Sequence, residues 1–591
     1  MFKMRCREKD SSASVIEQVL AARGIDTELI KQWRTVRFED DSFLDSHLLG
    51  EDNLDSASKL LMSAIKSNHR IAVVVDCDVD GYTSSSILCS YLWERFGFSN
   101  IQPIFHRGKE HGLSDTIDRI EENVHLVILP DAGTNDIEQH KILCDRGVSV
   151  ICLDHHEQDV ESEFAVIINN QVCEHPSKAM TGAAVTWMFI RYFNDEYLKV
   201  VPWGDTSEFN VEKYLDLAAL GCLSDMADFR DPCVRYIVHN GLSNINNPFF
   251  VSMCDKQKYS MDKMGGLVYM ACAFYVTPYM NAVCRTGTIE EKEMMFKAMT
   301  APFNKECVSS TKRGQVGDIV SIVSESVYRV GKAKERQTDT QNASLLYIDS
   351  LIEENDLCNN SVIVACCDPD AVDPAVCGLV ANKLQAKYQR PVMVLRKIGD
   401  VYKGSARNYS MSEIEDFKDL CMSSGLFSLC AGHAGAFGSE LPEENLEAFL
   451  EYANEQYSGV SKDPVYWIDY LFRDRDFKSH YASRVIDSIA KMKSYWGQQI
   501  PEAKVGIRIS LTDPDDIELI GKNKNTIKMY IDGIDVIKFQ SNQMEYEMLQ
   551  NASDGEHCLI AYCTCGLNEF NGKVTPQLIV EDWYVEEDLE F

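Results

Sequence analysis

A chain of 591 residues, 45% of them apolar and none in a low-complexity tract, is long enough for roughly three or four domains. No apolar run approaches the about 18 residues of a bilayer span. The 21 cysteines lie in apolar runs such as "VIVACC" and "AYCTC", so a cytoplasmic protein with reduced thiols is expected, not a membrane or secreted one. The formal charge of −33 argues against a basic nucleic-acid footprint over the whole surface, yet bound divalent metals would offset several acids, and a narrow basic groove can coexist with acidic outer faces.

In chain order, "SASVIEQVLAARGID" and "LDSASKLLMSAIKSN" have helical apolar spacing with Ser or Asp at their starts, so the first seventy residues are expected to be mostly helix. Three short apolar runs follow, "IAVVV", "VHLVILP" and "VSVICL", and each runs into acidic or histidine residues. "NDIEQHKILCDRG", between the second and third, reads as one helix. Asp131 and Asp154 then end consecutive strands of a β-α-β unit, in a parallel sheet buried on both faces. Near the C-terminus, Cys558, Cys563 and Cys565 are read as strand packing, not as a zinc site.

In such sheets ligands bind beyond the carboxyl ends of the strands, where the topology switches direction. The acids sit at those ends: Asp76, Asp78 and Asp80 in "DCDVDG", Asp131 in "LPDAG", and Asp154, His155, His156 and Glu157 in "LDHHE"; Asp225 follows "LDLAALGCLS". "DCDVDG" alone matches the start of an EF-hand loop. That loop needs Glu at its twelfth position, where this chain has Ile87, and a helix in front of it instead of a β-branched run. Two unit charges 4 Å apart repel by about 4 kcal/mol at an effective dielectric of about 20, so four converging acids call for a counter-ion. Carboxylates with imidazoles suit Mn²⁺ or Mg²⁺. The number of donors suits two ions about 3.5–4 Å apart, the arrangement that activates water against a phosphodiester.

"DCDVDG", "LPDAG", "LDHHE" and "LGCLSDMADF" resemble, in order and spacing, the four motifs of the DHH phosphoesterase family. The resemblance extends over nearly the whole chain and selects the branch of RecJ-like single-strand-specific exonucleases. "PIFHRGKEHGLSD" is similar to that branch's loop between the first two motifs, with Arg107, Glu110 and Gly112 in register. "FYVTPYMNAVCRTG" is similar to a second family segment, with Pro278, Asn281, Ala282, Arg285 and Gly287 retained. "VIVACCDPDAVDPAVCGLVANKL", "KGSARN" and "AGHAGAFG" resemble the associated DHHA1 domain, and "LNEFNGKVTPQLIVEDW" the last strands of an OB-fold. The chain departs from the pattern at Ala431 and Ala375, where the family has glycine, at Cys377, and at His111, where it has tyrosine. Arg235 is kept without its preceding Glu-Asn.

The resemblance implies an α/β protein. Residues 1–295 would hold N-terminal helices and the parallel-sheet DHH domain, 296–345 a helical connector, 346–456 a smaller α/β DHHA1 domain, and 457–591 a helical lead-in and a β-barrel of the OB type. Site chemistry and resemblance together assign Asp78, Asp80, Asp131, His155 and Asp225 as ligands of two Mn²⁺ or Mg²⁺ ions, with Asp131 bridging. Asp76 and Asp154 support them, and His156 meets the scissile phosphate or the leaving oxygen. Arg107, Asn281, Arg285, Ser405, Arg407 and His433 are the implied contacts to the strand and its 5′ phosphate. Tyr530, Phe539, Tyr562 and Phe570 are candidate stacking platforms. The implied function is 5′ to 3′ hydrolysis of single-stranded DNA to 5′ mononucleotides in repair, recombination or replication. The implied enzyme is a monomer, and a single-strand-binding protein or helicase is a candidate partner that would deliver the strand. A phosphodiesterase for short oligonucleotides or cyclic dinucleotides and a non-catalytic replication scaffold are the alternatives. Cys77, a soft thiol between hard ligands, has no role in this reading.

Overall fold

The apolar runs become neighbouring strands of one sheet in a computed structural model of the chain, which describes all residues except 1, 8–12, 26–28, 30–41, 109, 202–207, 265, 413, 415, 458–463, 571 and 588–591. The chain divides into two units, Lys31–Gln337 with Ser494–Pro501, and Met1–Ile30 with Thr338–Lys493 and Glu502–Phe591. Among the described residues no helix is long and apolar enough to cross a membrane.

The expectation of a mostly helical N-terminus is met by helices α1 (Val15–Ala21) and α2 (Glu51–Lys66) but fails at the start. Lys3–Cys6 form strand β1, parallel to β14 (Val465–Ile468) in the second unit. Four residues of mixed polarity, paired so far along the chain, leave no local pattern to read.

In the first unit, β2 (Arg70–Val75), β3 (Ile101–Phe105), β4 (Val124–Pro130), β5 (Ser149–Asp154) and β6 (Val166–Asn169) are all parallel, in the order β3-β2-β4-β5-β6. Ile71 to Val75 have no exposed surface, as a central strand between covered faces requires. Ala72, Val74, Val127, Leu129, Val150 and Cys152 form one cluster with Leu143 of α4 (Ile137–Asp145), the helix expected between β4 and β5. Helices α3 (Val79–Phe96), α5 (Gly182–Tyr192) and α6 (Leu215–Ser224) pack on one another and on β2 and β5. Helices α7 (Pro232–Ser243), α8 (Thr277–Thr286) and α9 (Ile289–Met299) complete this unit's described frame around the site. The chain runs from β2 out to β3 on one side and returns to β4 on the other, so the direction switches between β2 and β4. The expected connector is helical only in part: β7 (Cys307–Ser309) and β8 (Ile319–Ser321) form a hairpin before α10 (Ile322–Glu354).

In the second unit, β9 (Ile363–Cys367), β10 (Val392–Ile398), β11 (Val401–Arg407), β12 (Leu429–His433) and β13 (Ala436–Pro442) are ordered β12-β13-β11-β10-β9, with α11 (Cys377–Tyr388) packed on β10 and β11. A sheet of seven strands follows: β15 (Tyr470–Arg473), β16 (Lys504–Ser510), β17 (Ile517–Ile520), β18 (Thr526–Ile531), β19 (Ile534–Phe539), β20 (His557–Phe570) and β21 (Lys573–Glu587). Its order is β15-β16-β20-β21-β19-β18-β17, and among the described residues the edges β15 and β17 do not pair with each other, so no ladder closes the expected barrel.

Candidate metal centre

The acids converge where the sheet switches direction. After Val75 the chain leaves β2 and enters α3 within three residues. Asp78 is the N-cap: its Oδ1 accepts hydrogen bonds from the N–H groups of Asp80 and Gly81, at 3.1 and 3.2 Å. This tight entry brings Gly81 against Asp76, where a Cβ would stand 2.5 Å from the Asp76 Cβ. Asp80, in the first turn of α3, is held by the N-terminus of α5. Thr181 Oγ1 and the N–H groups of Gly182 and Ala183 donate to its carboxylate at 2.9, 2.7 and 3.2 Å.

Asp131 follows β4 with a left-handed backbone, φ 72°, a conformation costly for a residue with a Cβ. It is buried, and among the described residues no hydrogen bond reaches its Oδ1. His155 Nε2 stands 3.2 Å from that oxygen, 3.7 Å from Asp225 Oδ2 and 4.0 Å from Asp80 Oδ2. Asp225 caps the C-terminus of α6 at the rim. Donor atoms of Asp76, Asp78 and Asp131 lie within 4.8 Å of one another, as do those of Asp131, His155 and His156. Asp131 belongs to both groups. The sequence makes Asp76 a supporting residue; the structure groups it with Asp78 and Asp131, because the short turn into α3 faces both side chains toward β4.

Burial, then the charges of Asp80, Asp78, Asp76 and Asp225, pushes the Asp131 carboxyl well above the usual carboxylate range. Burial and the charges of Asp76 and Asp80 raise Asp78. Asp225 is pushed up to about 8 by partial burial, then by Asp80 and Asp78. His155 is lowered by burial, which keeps its imidazole neutral and able to ligate. Arg285, on α8, opposes the repulsion at both Asp78 and Asp225. A buried carboxylate oxygen that no hydrogen bond from the described residues reaches, amid oxygen and imidazole donors, fits a hard divalent cation.

Both oxygens of Asp154 are engaged by hydrogen bonds. Its Oδ1 accepts from the backbone N–H of His155 and from His156 Nδ1, both at 2.7 Å, and its Oδ2 from Thr134 N–H at 2.9 Å. Burial would raise its carboxyl, but the bonds from His156 and Thr134 prevail and hold it below the usual range. His156 is raised in turn to about 9 by that bond, and its half-exposed ring stands 4.5 Å from that of His155.

Of the implied strand contacts, Arg107 is exposed on the loop after β3, and Asn281 shares α8 with Arg285. Sequence reasoning missed Lys292, a buried lysine on α9 whose Nζ donates to the carbonyls of His106 and Arg107 at 2.8 and 3.4 Å. It missed the cradle around Asp80 as well, although "TGAAV" carries a helix-start signal. Ser405, Arg407 and His433 lie in the second unit. Arg407 pairs with Ala436 and Ala436 with His433, while Ser405 pairs with Gly438 and Gly438 with Ala431, so Ser405, Arg407 and His433 share one face of the sheet with Ala431. Gly378, on α11, lies against that face: a Cβ there would stand 2.5 Å from Arg407 Nη2, the mobile end of the side chain. Tyr530 and Phe539 are exposed and share a face of the β18–β19 ladder, whereas Tyr562 is buried against Tyr466 with stacked rings 4.3 Å apart. The Phe570 side chain lies outside the described residues.

Residues 70–222 match the model of the DHH family, N-terminal domain, and residues 359–459 that of the DHHA1 domain. The chain is 32% identical over 535 residues to a protein of Bacillus subtilis (strain 168) named as an SPbeta prophage-derived single-strand DNA-specific exonuclease, covering 89% of each. It is 23% identical to the single-stranded-DNA-specific exonuclease RecJ of Haemophilus influenzae, covering 90% of each. Its fold is similar to that of RecJ in complex with Mn²⁺ from Thermus thermophilus, with a TM-score of 0.69 and 20% identity, over 100% of this chain and 80% of that one. A doubly wound sheet with acids gathered at its switch point, followed by a DHHA1 domain, defines a hydrolase of the DHH class. Within that class the chain belongs to the RecJ-like exonuclease family.

Proposed function

We propose that this chain is a metal-dependent exonuclease that hydrolyses single-stranded DNA from its 5′ end to 5′ mononucleotides, in repair, recombination or replication. The observation that carries this reading is the buried Asp131 carboxylate, shared by two donor groups at the switch point and left with an oxygen that no hydrogen bond from the described residues reaches.

Asp76, Asp78 and Asp131 would hold one Mn²⁺ or Mg²⁺ ion, and Asp131, Asp80, His155 and Asp225 a second. Bound there, the pair would supply an acidified water and offset charge on the phosphate. The protein supplies the geometry. The N-termini of α3 and α5 fix Asp78 and Asp80 by hydrogen bonds, so neither carboxylate must reorganise during the reaction. Asp154 holds His156 by Nδ1, which leaves Nε2 outside that bond and raises the ring's affinity for a proton. His156 is thereby placed to donate to the scissile phosphate or to the departing 3′ oxygen. Arg285 adds positive charge beside Asp78 and Asp225. Arg107 and Asn281 are assigned to the strand near the site, and Ser405, Arg407 and His433 to its phosphates; a guanidinium fork beside a hydroxyl suits that ligand.

The test uses metal-stripped protein, Mn²⁺ or Mg²⁺ restored, and oligonucleotides labelled at either end, single-stranded and duplex, beside Asp131→Ala. Release of 5′ mononucleotides from the 5′ end of single strands, lost in the variant, is expected. Full activity in Asp131→Ala would remove the metal assignment, and equal degradation of blunt duplex would remove the strand selectivity.

A further inference from the structure

Motif one contains a second set of donors that the proposed reaction does not use. Cys77 is 2% exposed, and its Sγ lies 3.6 Å from His111 Nε2 and 3.8 Å from Nδ1. His111 Nδ1 lies 2.6 Å from Asp76 Oδ2. One donor atom each from Asp76, Cys77 and His111 therefore falls within 4.8 Å of the other two. A fourth group approaches from behind. His106 is 1% exposed, its Nδ1 is engaged by Asp115 Oδ1 at 2.5 Å, and its Nε2 stands 3.5 Å from Asp76 Oδ1. Among the described residues that buried nitrogen has no hydrogen-bond partner.

These donors differ in kind from those around Asp131. There the set is carboxylates with imidazole; here a thiol and two imidazoles surround one carboxylate. Thiolate and imidazole select thiophilic ions, and sulfur, nitrogen and oxygen in a group of three or four suit tetrahedral zinc. His111 stands where the resemblance pattern has tyrosine, and a phenol there would take one imidazole out of the set.

We propose that Asp76, Cys77 and His111, with His106 behind Asp76, form a third cation site that takes a thiophilic divalent ion of the Zn²⁺ class. Because Asp76 also belongs to the group with Asp78 and Asp131, loading this site draws its carboxylate toward sulfur, and Zn²⁺ inhibits hydrolysis supported by Mn²⁺. Binding stands apart from the proposed function; the inhibition rests on it.

The test loads Co²⁺ as a spectroscopic stand-in for Zn²⁺ into metal-stripped full-length protein held in excess Mg²⁺. The wild type should show a thiolate-to-cobalt charge-transfer band that Zn²⁺ displaces. Cys77→Ser and His111→Tyr, checked for an unchanged melting temperature in Mg²⁺, should lose it. In parallel, half-inhibition of the Mn²⁺-supported rate should need at least roughly tenfold more Zn²⁺ in Cys77→Ser, the loss that even outer-sphere changes cause. No band in the wild type, or an equal band from the remaining thiols in Cys77→Ser, overturns the site. A band without Zn²⁺ inhibition in an active enzyme overturns the sharing of Asp76. Absence of nuclease activity under every metal counts against the proposed function and leaves the band to decide the site.

Discussion

Alanine at Gly221 sets two effects against each other. Within a helix such as α6, alanine is intrinsically favoured over glycine by about 1 kcal/mol. Here, however, the added Cβ would lie 2.2 Å from Asp80 Oδ1, 2.6 Å from Ala183 Cβ and 2.8 Å from Thr83 Oγ1. Helices α3, α5 and α6 meet at this point, so relief must come from a shift of backbone or from Asp80 leaving its cradle. Overpacking of this kind costs about 1–3 kcal/mol. Loosening bonds to a charged carboxylate adds roughly 1.5–3 kcal/mol for each one lost. The steric side wins, and Gly221→Ala should melt earlier by several degrees. It should also lose activity by up to about a hundredfold, since displacing a positioned group by ~1 Å has that effect. Gly241→Ala, on α7, is the control: its Cβ would lie 2.2 Å from the carbonyl oxygen of Leu215 and 2.7 Å from Ala219 Cβ, against the same helix α6 but away from the acids. It should cost comparable stability and leave the rate nearly intact. Melting curves and steady-state rates on a 5′-labelled single strand, taken where all forms are folded, separate the cases. A raised melting temperature with a wild-type rate in Gly221→Ala, or an equal rate loss in Gly241→Ala, would refute the reasoning.

In metal-free protein, Asp225 (ordinary value 3.8, folded about 8) and His156 (6.5, folded about 9) are both raised, so their stability contributions are complete below the unfolded values and are lost as pH climbs through the folded ones. The metal-free melting temperature should therefore fall from about pH 4 to about pH 9, and saturating Mn²⁺ should flatten that slope; a pH-independent metal-free form contradicts the convergence of acids. Asp131→Asn removes a buried acid from a repelling group, so calorimetry should find the metal-free protein more stable and its gain on adding Mn²⁺ largely gone. Lys292→Met leaves two loop carbonyls without their ammonium donor, at a cost of about 1–3 kcal/mol. KM for the strand should rise more than kcat falls, because Arg107 loses its anchor; an unchanged KM with a reduced kcat would contradict that role.

Continuous apolar runs ending in acids made β2, β4 and β5 legible, since a strand buried on both faces has no polar side to interrupt it. Asp131 and Asp154 fell at consecutive strand ends as the intervening helix implied. The contacts between distant residues were not legible. Nothing near "TGAAV" says that its N–H groups take Asp80, about a hundred positions earlier, and nothing near "DCD" says that His111 will lie against Asp76. Alternation along β20 gave Tyr562 no side; the stacked Tyr466 put it in the core, while Tyr530 and Phe539 stayed exposed. The position of Asp76 was not legible in the sequence for a local reason. Its role turns on how soon the chain curls into α3, and the proximity of Gly81 to Asp76 shows that it curls at once.

Lys3 pairs with Val465, and Arg7 meets Asp469 across the same span of 462 residues. On the ribosome, β1 thus waits for 462 further residues before its partner exists. At ~5–20 residues per second that wait is on the order of 20–90 s. Segment 494–501 is equally late, and it closes the unit that holds the acids through the bonds of Phe229 and Arg235 to Gln498 and Ser494. The unit that holds the acids is complete only once Pro501 has been added, so the nascent protein passes through a long interval in which its earliest segments are exposed to chaperones and proteases.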